Sequence, residues 1–329
     1  MFGKVKEKIL SQSNSHVHYK NENKKLNKNL DDLIKSNESL LKRVRQLESE
    51  VNSHYTLFNV IFLEYELKPR GIWEQIQLLT QEMMIFMDNI CKKHDIYYWL
   101  DFGTLLGASR HQGFIPWDDD VDIGMMRKDF DKFITVFHEE TKRLDVNNII
   151  TITIDDIARK NLMISFIKVK FDFIKLLDIF PYDFLNSKKS VDEERYTLER
   201  RDFHIKLLNG ADKTEVVKDY MERLNLEYDD GKYIMPGVEG VIGLDEIYSF
   251  KIREKGAIFP LRKIRFMEHD FNCPNNYKNY LTEIYGNYQE IPRVVRHHSL
   301  ISRLRKRKDI LKTLDDAIDM MKNLNRNFK

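Results

Sequence analysis

The chain has 329 residues, of which 42% are hydrophobic and 12% aromatic, which is the composition of an ordinary folded protein and excludes a disordered or collagen-like chain. Its 54 basic and 52 acidic side chains leave a net charge of +2, so we expect no nucleic-acid partner from charge alone. The two cysteines, Cys91 and Cys273, exclude a disulfide framework and a cysteine-rich zinc module.

The N-terminal segment, residues 1–20, is expected to be disordered or frayed. It contains four lysines and three serines and has no apolar core of the kind found in signal peptides. The longest apolar stretches of the chain are interrupted by charged residues, which argues against an ordinary membrane-spanning helix. The simplest expectation is therefore a cytoplasmic protein.

Residues 21–68 are predicted to form a coiled coil. The seam residues alternate in steps of four and three: Leu26, Leu30, Leu33, Asn37, Leu40, Val44, Leu47, Val51 and His54. Valine at a positions, leucine at d positions and one polar a residue, Asn37, favour a parallel pair of helices in a fixed register. We expect a homodimer through residues 26–54; the alternative is a helix that packs back on its own domain.

Residues 69–329 are predicted to form the catalytic domain, with a helical C-terminal part. An amphipathic helix over residues 76–90 leads into a strand over residues 97–102, which ends at Gly103 and Thr104. Glycine allows a backbone to approach a ligand closely, and a threonine can open a helix whose amides face a phosphate group. The pattern predicts a phosphate-binding turn at Gly103 and Thr104.

Four acidic residues follow within five positions: Asp118, Asp119, Asp120 and Asp122. A strand from Asp120 would place Asp120 and Asp122 on one face and the apolar residues between and after them on the other. Carboxylates held this close repel one another unless they are solvated or bind cations. The sequence therefore favours a site for Mg²⁺ or Mn²⁺, the alternative being a solvated acidic loop.

The segment over residues 82–133, with its core LDFGTLLGASRHQGFIPWDDDVDIGM, closely resembles the LicD family, which includes phosphocholine transferases and fukutin-related sugar-phosphate transferases. Similarity continues at LDIFP, residues 177–181, and covers about residues 70–295 in all. The resemblance implies an α+β fold, with a nucleotidyltransferase-like mixed β-sheet flanked by helices, here preceded by the long N-terminal helix. In such a sheet two acids lie on one strand and a third lies on a neighbouring strand.

By this resemblance the third acid is Asp178. It follows two β-rich runs, over residues 164–169 and 173–180, that are joined by a short turn. Asp120, Asp122 and Asp178 are thus the expected metal ligands and catalytic residues, and Asp178 is also expected to accept the proton of the acceptor hydroxyl. The alternative for Asp178 is an acid on an exposed strand edge.

Arg110 and Lys168 are candidates to hold the diphosphate of the donor, since a guanidinium grips phosphate oxygens in pairs. Arg110 fits a surface or structural ion pair equally well. Residues 188–232 are expected to form a partly helical cap, and helices are expected over residues 277–284 and 310–321. A basic tract over residues 293–308 is either a solvated helix start or a contact for an anionic acceptor or the inner face of a membrane.

The favoured function is the metal-dependent transfer of an alcohol-phosphate or sugar-phosphate group, such as phosphocholine or ribitol phosphate. The CDP-linked donor, the cell-surface glycan acceptor and the release of CMP are implied by the resemblance alone. Two alternatives remain: a nucleotidyltransferase that adds a nucleotide to its acceptor, and a coiled-coil assembly protein whose site is not catalytic.

Overall fold

The computed structural model describes residues 2–64, 68–154, 156–158, 162–164, 166–239, 250–291 and 300–329. The chain forms two units, residues 1–66 and residues 67–329. The sequence analysis placed the corresponding boundary between residues 68 and 69, at the start of Pro69-Arg70-Gly71.

The first unit is one helix, α1, which spans Phe2–Glu64. Its backbone is helical from Phe2, whereas the composition of residues 1–20 favoured a frayed start. The predicted seam residues of α1 are exposed: Leu33 by 67%, Leu40 by 59% and Leu47 by 51%. Among the described residues, neither α1 nor any later helix combines the length and apolar character needed to cross a membrane.

The second unit alternates helices and strands. Its helices are α2 (Ile72–Lys93), α3 (Phe102–His111), α4 (Arg127–Arg143), α5 (Glu193–Leu208), α6 (Lys213–Leu224), α7 (Lys255–Ile258), α8 (Tyr277–Tyr285), α9 (Leu300–Leu304) and α10 (Ile310–Arg326). Its strands are β1 (Tyr98–Leu100), β2 (Val121–Met126), β3 (Ile150–Thr153), β4 (Asp156–Ala158), β5 (Leu162–Ile164), β6 (Ile167–Phe171), β7 (Ile174–Leu185), β8 (Leu226–Glu227), β9 (Tyr233–Pro236), β10 (Arg253–Glu254), β11 (Arg262–Phe266) and β12 (His269–Cys273).

The main sheet is curled and mixed, with the strand order β1-β2-β7-β6-β3. Strands β2 and β7 are parallel, while β1 pairs with β2, and β6 with both β7 and β3, in antiparallel fashion. The C-terminal part of β7 pairs in addition with β8 and β9. The predicted α+β class, with a mixed sheet and a long N-terminal helix, is confirmed.

Helices α2 and α4 pack against β7, and α10 packs against α2. Along β2 the apolar side chains of Val121, Ile123 and Met125 are fully buried in the main core, while Asp122 between them is only partly covered. This alternation is the strand parity expected from the sequence, and it directs Asp122 to the face opposite Val121 and Ile123.

A second core forms around α5 and α6, within the residues that were predicted to form a partly helical cap. It consists of Leu185, Val191, Tyr196, Phe203, Leu207, Val216, Tyr220, Leu224, Met235 and Val238. Strand β7 supplies Leu185, so the second core is joined to the main sheet through this strand.

His204 makes this second core sensitive to acid. Its side chain is 4% exposed, neither ring nitrogen has a hydrogen-bond partner among the described residues, and burial lowers its pKa from 6.5 to about 4. Below pH 6.5 the unfolded chain takes up a proton that the folded chain excludes, so stability falls as the pH drops toward 4.

We expect this histidine to account for about 2–3 kcal/mol of the stability lost between pH 7 and pH 4.5. Urea titrations of the wild type and of His204→Leu at the two pH values measure the difference. His269→Gln, at an exposed strand position, is the control. An equal acid loss in the wild type and in His204→Leu would contradict the assignment.

Candidate functional site

The site begins where β1 ends and α3 starts. Helix α3 begins at Phe102, whose backbone N–H donates to the Asp101 carboxylate at 2.8 Å, so Asp101 is the N-cap. The expectation that the strand continues to residue 102 and that Thr104 opens the helix is wrong. The Thr104 hydroxyl instead accepts a hydrogen bond from the backbone N–H of Asp122 at 2.7 Å, which fixes the start of β2 against α3.

Gly103 lies in the first turn of α3, directly beside two carboxylates. A Cβ atom at this position would be 3.1 Å from Asp118 Oδ2 and 3.6 Å from Asp122 Oδ2. The sequence analysis assigned Gly103 to the close approach of a ligand. In the structure the close approach is to the acidic side chains, so the glycine leaves room for them at the helix start.

Asp122 and Asp178 are direct neighbours across the parallel β2–β7 pair. On the other side of β7, Lys168 of β6 is the direct neighbour of Asp178. In-register neighbours on adjacent strands point to the same face of a sheet, with Cβ atoms about 5 Å apart. The three side chains therefore form one row across β2, β7 and β6, which brings together three of the residues singled out in the sequence.

A cluster of three acids adjoins this row. Carboxylate oxygens of Asp118, Asp119 and Asp120 lie within 4.8 Å of one another, and Asp119 is 2% exposed. Strand β2 begins at Val121, so Asp120 precedes the strand and belongs to this cluster. The sequence analysis noted the acidic run but selected only Asp120 and Asp122 from it, and thereby left out Asp118 and Asp119.

The neighbouring acids make the ionisation of Asp122 less favourable. The pKa of Asp122 is raised well above its usual value, first by burial and then by the negative charges of Asp120 and Asp118, with smaller contributions from Asp178 and Asp101. Such an arrangement is stabilised by a bound cation, and carboxylate oxygens are the ligands that Mg²⁺ and Mn²⁺ prefer. The donor set of these residues thus fits a hard divalent ion.

Asp119, Asp120 and Asp178 border a cavity of about 370 Å³. It is lined by Asp119, Asp120, Lys168, Phe173, Lys175, Asp178, Arg303, Leu304 and Arg307. Three carboxylates and four cationic side chains therefore face the same space. A cavity of this size lies at the lower end of the range for small-molecule sites.

Arg110 is not part of this cavity lining. It lies in the last turn of α3, about 10 Å along the helix axis from Gly103, and donates to the carbonyl oxygens of Tyr288 at 2.8 Å and Glu290 at 3.1 Å. Burial lowers its pKa to about 10. These two hydrogen bonds fit the structural alternative for Arg110, and its assignment to the donor diphosphate stays a prediction.

Part of the chain matches a known protein family. Residues 95–214 match the family model described as LicD/FKTN/FKRP, nucleotidyltransferase domain. These 120 residues are similar to a LicD domain. The resemblance inferred from the motif over residues 82–133 is confirmed, and the matched range contains Asp118, Asp119, Asp120, Asp122 and Asp178.

Similar curated proteins match over shorter stretches. The chain is 43% identical to the lipopolysaccharide cholinephosphotransferase LicD of Haemophilus influenzae over 65 residues, which are 20% of this chain and 24% of the relative. It is 34% identical to an uncharacterised protein of Rickettsia typhi over 141 residues, 42% and 45% of the two chains. It is 41% identical to the human ribitol 5-phosphate transferase FKRP over 49 residues, 15% and 10% of the two chains. The chain thus spans less than half the length of these relatives.

Residues 67–329 also contain a buried polar cluster that was not predicted from the sequence. The carboxylate of Asp101 is fully buried and accepts hydrogen bonds from the hydroxyl groups of Tyr182 and Tyr280, each at 2.6 Å. Its backbone N–H donates to the carbonyl oxygen of Asp122 at 3.0 Å. Asp101 is therefore a positioning residue, because it holds the end of β1 and the start of α3 against the strand that carries Asp122.

Burial raises the pKa of Asp101, although the two tyrosine hydroxyls and the Phe102 N–H oppose that shift. Tyr280 lies on α8, outside the matched range, and the guanidinium of Arg253 is 4.2 Å from the centre of its ring. No local pattern identifies Asp101 as a helix cap, because it lies between Leu100 and Phe102 in a run that looks like a continuous strand.

Proposed function

We propose that this protein transfers an alcohol-phosphate or sugar-phosphate group from a CDP-linked donor to a hydroxyl group of a cell-surface glycan and releases CMP. The observation that supports this most is the pairing of Asp122 with Asp178 beside the acidic cluster, at a cavity with cationic side chains. Two similar proteins, a cholinephosphotransferase and a ribitol 5-phosphate transferase, suggest the substrate class.

In the proposed reaction the acceptor oxygen forms a bond to the phosphorus of the transferred group. The bond from that phosphorus to the bridging oxygen of the diphosphate breaks, and CMP leaves with the bridging oxygen. Asp178 accepts the proton of the attacking hydroxyl, while Lys168 beside it offsets negative charge on the phosphate oxygens. Thr104 and Asp101 keep β2 in place through the backbone of Asp122.

Asp120 and Asp122, with Asp178, are the proposed holders of Mg²⁺ or Mn²⁺, and Asp118 and Asp119 are clustered with Asp120. The bound ion would neutralise charge on the diphosphate oxygens and help to align donor and acceptor. Asp122 is suited to this because its neighbours disfavour its charge until a cation is present.

Incubating the full chain with Mg²⁺, a glycan acceptor preparation and a panel of CDP-choline, CDP-ribitol and CDP-glycerol tests the proposal. We expect CMP to appear with one donor and only when the acceptor is present. Pyrophosphate released from CTP in the same preparation would instead indicate nucleotide addition. Turnover of none of these donors, and none of CTP, would favour the non-catalytic assembly protein.

We further propose that α1 pairs with α1 of a second copy to form a parallel coiled coil. The support is a row of leucines and valines, each about half exposed or more, at heptad spacing: Leu26, Leu30, Leu33, Leu40, Val44, Leu47 and Val51. Burying such side chains between two helices contributes about 1.5–3 kcal/mol for each one that becomes fully covered.

The double variant Leu40→Lys/Leu47→Lys is expected to be monomeric at micromolar concentration, because it places two charges per chain in the seam. Ser39→Lys/Gln46→Lys adds the same charge on an outer face of α1 and should remain dimeric. Light scattering coupled to size-exclusion chromatography measures both. A monomeric wild type, or a dimeric seam variant, would contradict the pairing.

A further inference from the structure

The cationic wall of the cavity includes residues from the C-terminal part of the chain. Arg303 and Arg307 line the cavity from α9 and the turn that follows it, facing Asp120 and Asp178. Both arginines lie outside residues 95–214, the range that matches the LicD domain. The sequence analysis treated this tract as a solvated helix start or a contact for an anionic surface; Arg293, Arg296, His297 and His298 of that tract lie outside the described residues.

The arginines project from an anchored segment. On either side of them Ile301 is 5% exposed, Leu304 is 1% exposed and Ile310 is 7% exposed, and all three belong to the main core. These contacts fix the backbone, so Arg303 and Arg307 are held at the cavity while their side chains remain accessible. A solvated helix start would not require this anchoring.

Arg307 is further fixed by an aromatic contact. Its guanidinium carbon lies 3.5 Å from the ring centre of Phe173, in the turn between β6 and β7, and this ring lines the same cavity. Stacking on an aromatic face restricts a guanidinium in orientation and leaves its N–H groups at the edge available for hydrogen bonds. Arg307 is therefore pre-oriented beside the strand pair that carries Lys168 and Asp178.

The charges of the cavity define its ligand. Lys168, Lys175, Arg303 and Arg307 stand against three carboxylates, and Lys168 is only 5% exposed. A ligand that fits this cavity needs several negative charges, which the cationic side chains can bind. It also needs oxygen atoms that can coordinate a divalent ion together with the carboxylates. A diphosphate meets both requirements, since guanidinium groups bind phosphate oxygens in pairs and carboxylates bind the ion.

We propose that Arg303 and Arg307 bind the diphosphate of the donor, so that this C-terminal segment completes the substrate site of the LicD domain. The inference rests on the proposed function for the identity of the donor. The chemistry of the ligand does not depend on the proposed function, because it follows from the cationic side chains that line the cavity.

Isothermal titration calorimetry of the full chain in Mn²⁺, with CDP and with inorganic diphosphate as separate probes, tests the proposal. Arg303→Gln/Arg307→Gln removes the two lining arginines. Arg305→Gln/Lys306→Gln removes two exposed positive charges from the same segment that do not line the cavity. The net charge changes equally, so the pair of variants separates direct contact from a general loss of positive charge.

We expect the Arg303/Arg307 variant to weaken binding of both probes at least about tenfold, and the Arg305/Lys306 variant to change it less than about twofold. Thermal melts of both variants check that the fold is retained. If the wild type binds diphosphate but not CDP, the result would contradict the proposed cytidine donor and still support the diphosphate site.

Three results would overturn the inference. The two double variants could bind CDP and diphosphate equally well, the wild type could bind neither probe, or the Arg303/Arg307 variant could lose binding to anionic lipid vesicles while retaining that of both probes. If the two double variants bind both probes equally well, the proposed function is not affected. A catalytically active Arg303/Arg307 variant with unchanged affinity would show that other residues bind the donor. The third would assign the tract to a membrane surface.

Discussion

Asp122→Asn is expected to lower the proposed transfer activity by at least about a thousandfold and, at the same time, to stabilise the protein. The activity falls because a neutral amide holds a divalent ion poorly. The stability rises because the charge of Asp122 is disfavoured by burial and by the neighbouring acids, and the amide removes that repulsion. In a chelator we expect a melting temperature higher by roughly 2–4 °C, which corresponds to about 1 kcal/mol for a protein of this size.

The effect of metal gives this prediction a second measurement. Mn²⁺ should raise the melting temperature of the wild type, because a ligand that binds only the folded chain stabilises it, and should do so much less for Asp122→Asn. Asp315→Asn, on the exposed face of α10, makes the same chemical change away from the acids and should behave as the wild type. Full transfer activity in Asp122→Asn would show that Asp122 is not part of the active site. A melting temperature below that of the wild type in chelator would contradict the proposed charge repulsion at Asp122.

Arg127→Met is expected to destabilise the protein by about 3–5 kcal/mol. Arg127 is 2% exposed at the start of α4, and its guanidinium binds both oxygens of two buried carboxylates, Asp183 of β7 and Glu239. Burial by itself would lower the pKa of Arg127, but the two carboxylates raise it well above its usual value. Removing the arginine therefore leaves two buried negative charges facing each other without a partner.

Urea unfolding of three variants tests this account. The triple variant Arg127→Met/Asp183→Asn/Glu239→Gln removes all three charges together and should recover a large part of the loss. Lys128→Met is the neighbouring control, because the Lys128–Asp229 ion pair is exposed on both sides and should contribute little. If the triple variant is as unstable as Arg127→Met, then packing rather than unpaired charge explains the loss.

Local patterns were sufficient to predict several elements near the site. Apolar residues at helical spacing identified α2, and strand parity placed Asp122 opposite Val121 and Ile123. A glycine was expected to end the helix predicted over residues 277–284. In the structure α8 ends at Tyr285, and its C-cap is Gly286, whose φ is +65°. Such features depend on residues close in sequence, for which propensity and periodicity carry most of the information.

Contacts between distant segments could not be predicted in this way. Asp101 is the N-cap of α3 although the sequence around it is typical of a strand. Its two tyrosine partners are 81 and 179 positions away in the sequence. Arg303 and Arg307 reach the cavity only because Ile301 and Leu304 are buried in a core built from the rest of the unit. The placement of these side chains is set by tertiary packing, and no pattern within their own segment specifies it.

Strand β7 belongs to both cores of residues 67–329. It contributes Leu177 and Ile179 to the main core and Leu185 to the second, and between them it carries Asp178 and Asp183. A strand that is shared in this way links the two cores mechanically, because neither can melt without exposing part of the other. The α5–α6 region and the strands that carry Asp122 and Asp178 should therefore unfold in one cooperative step. Loss of packing around α5 should also destabilise the part of β7 that carries Asp178.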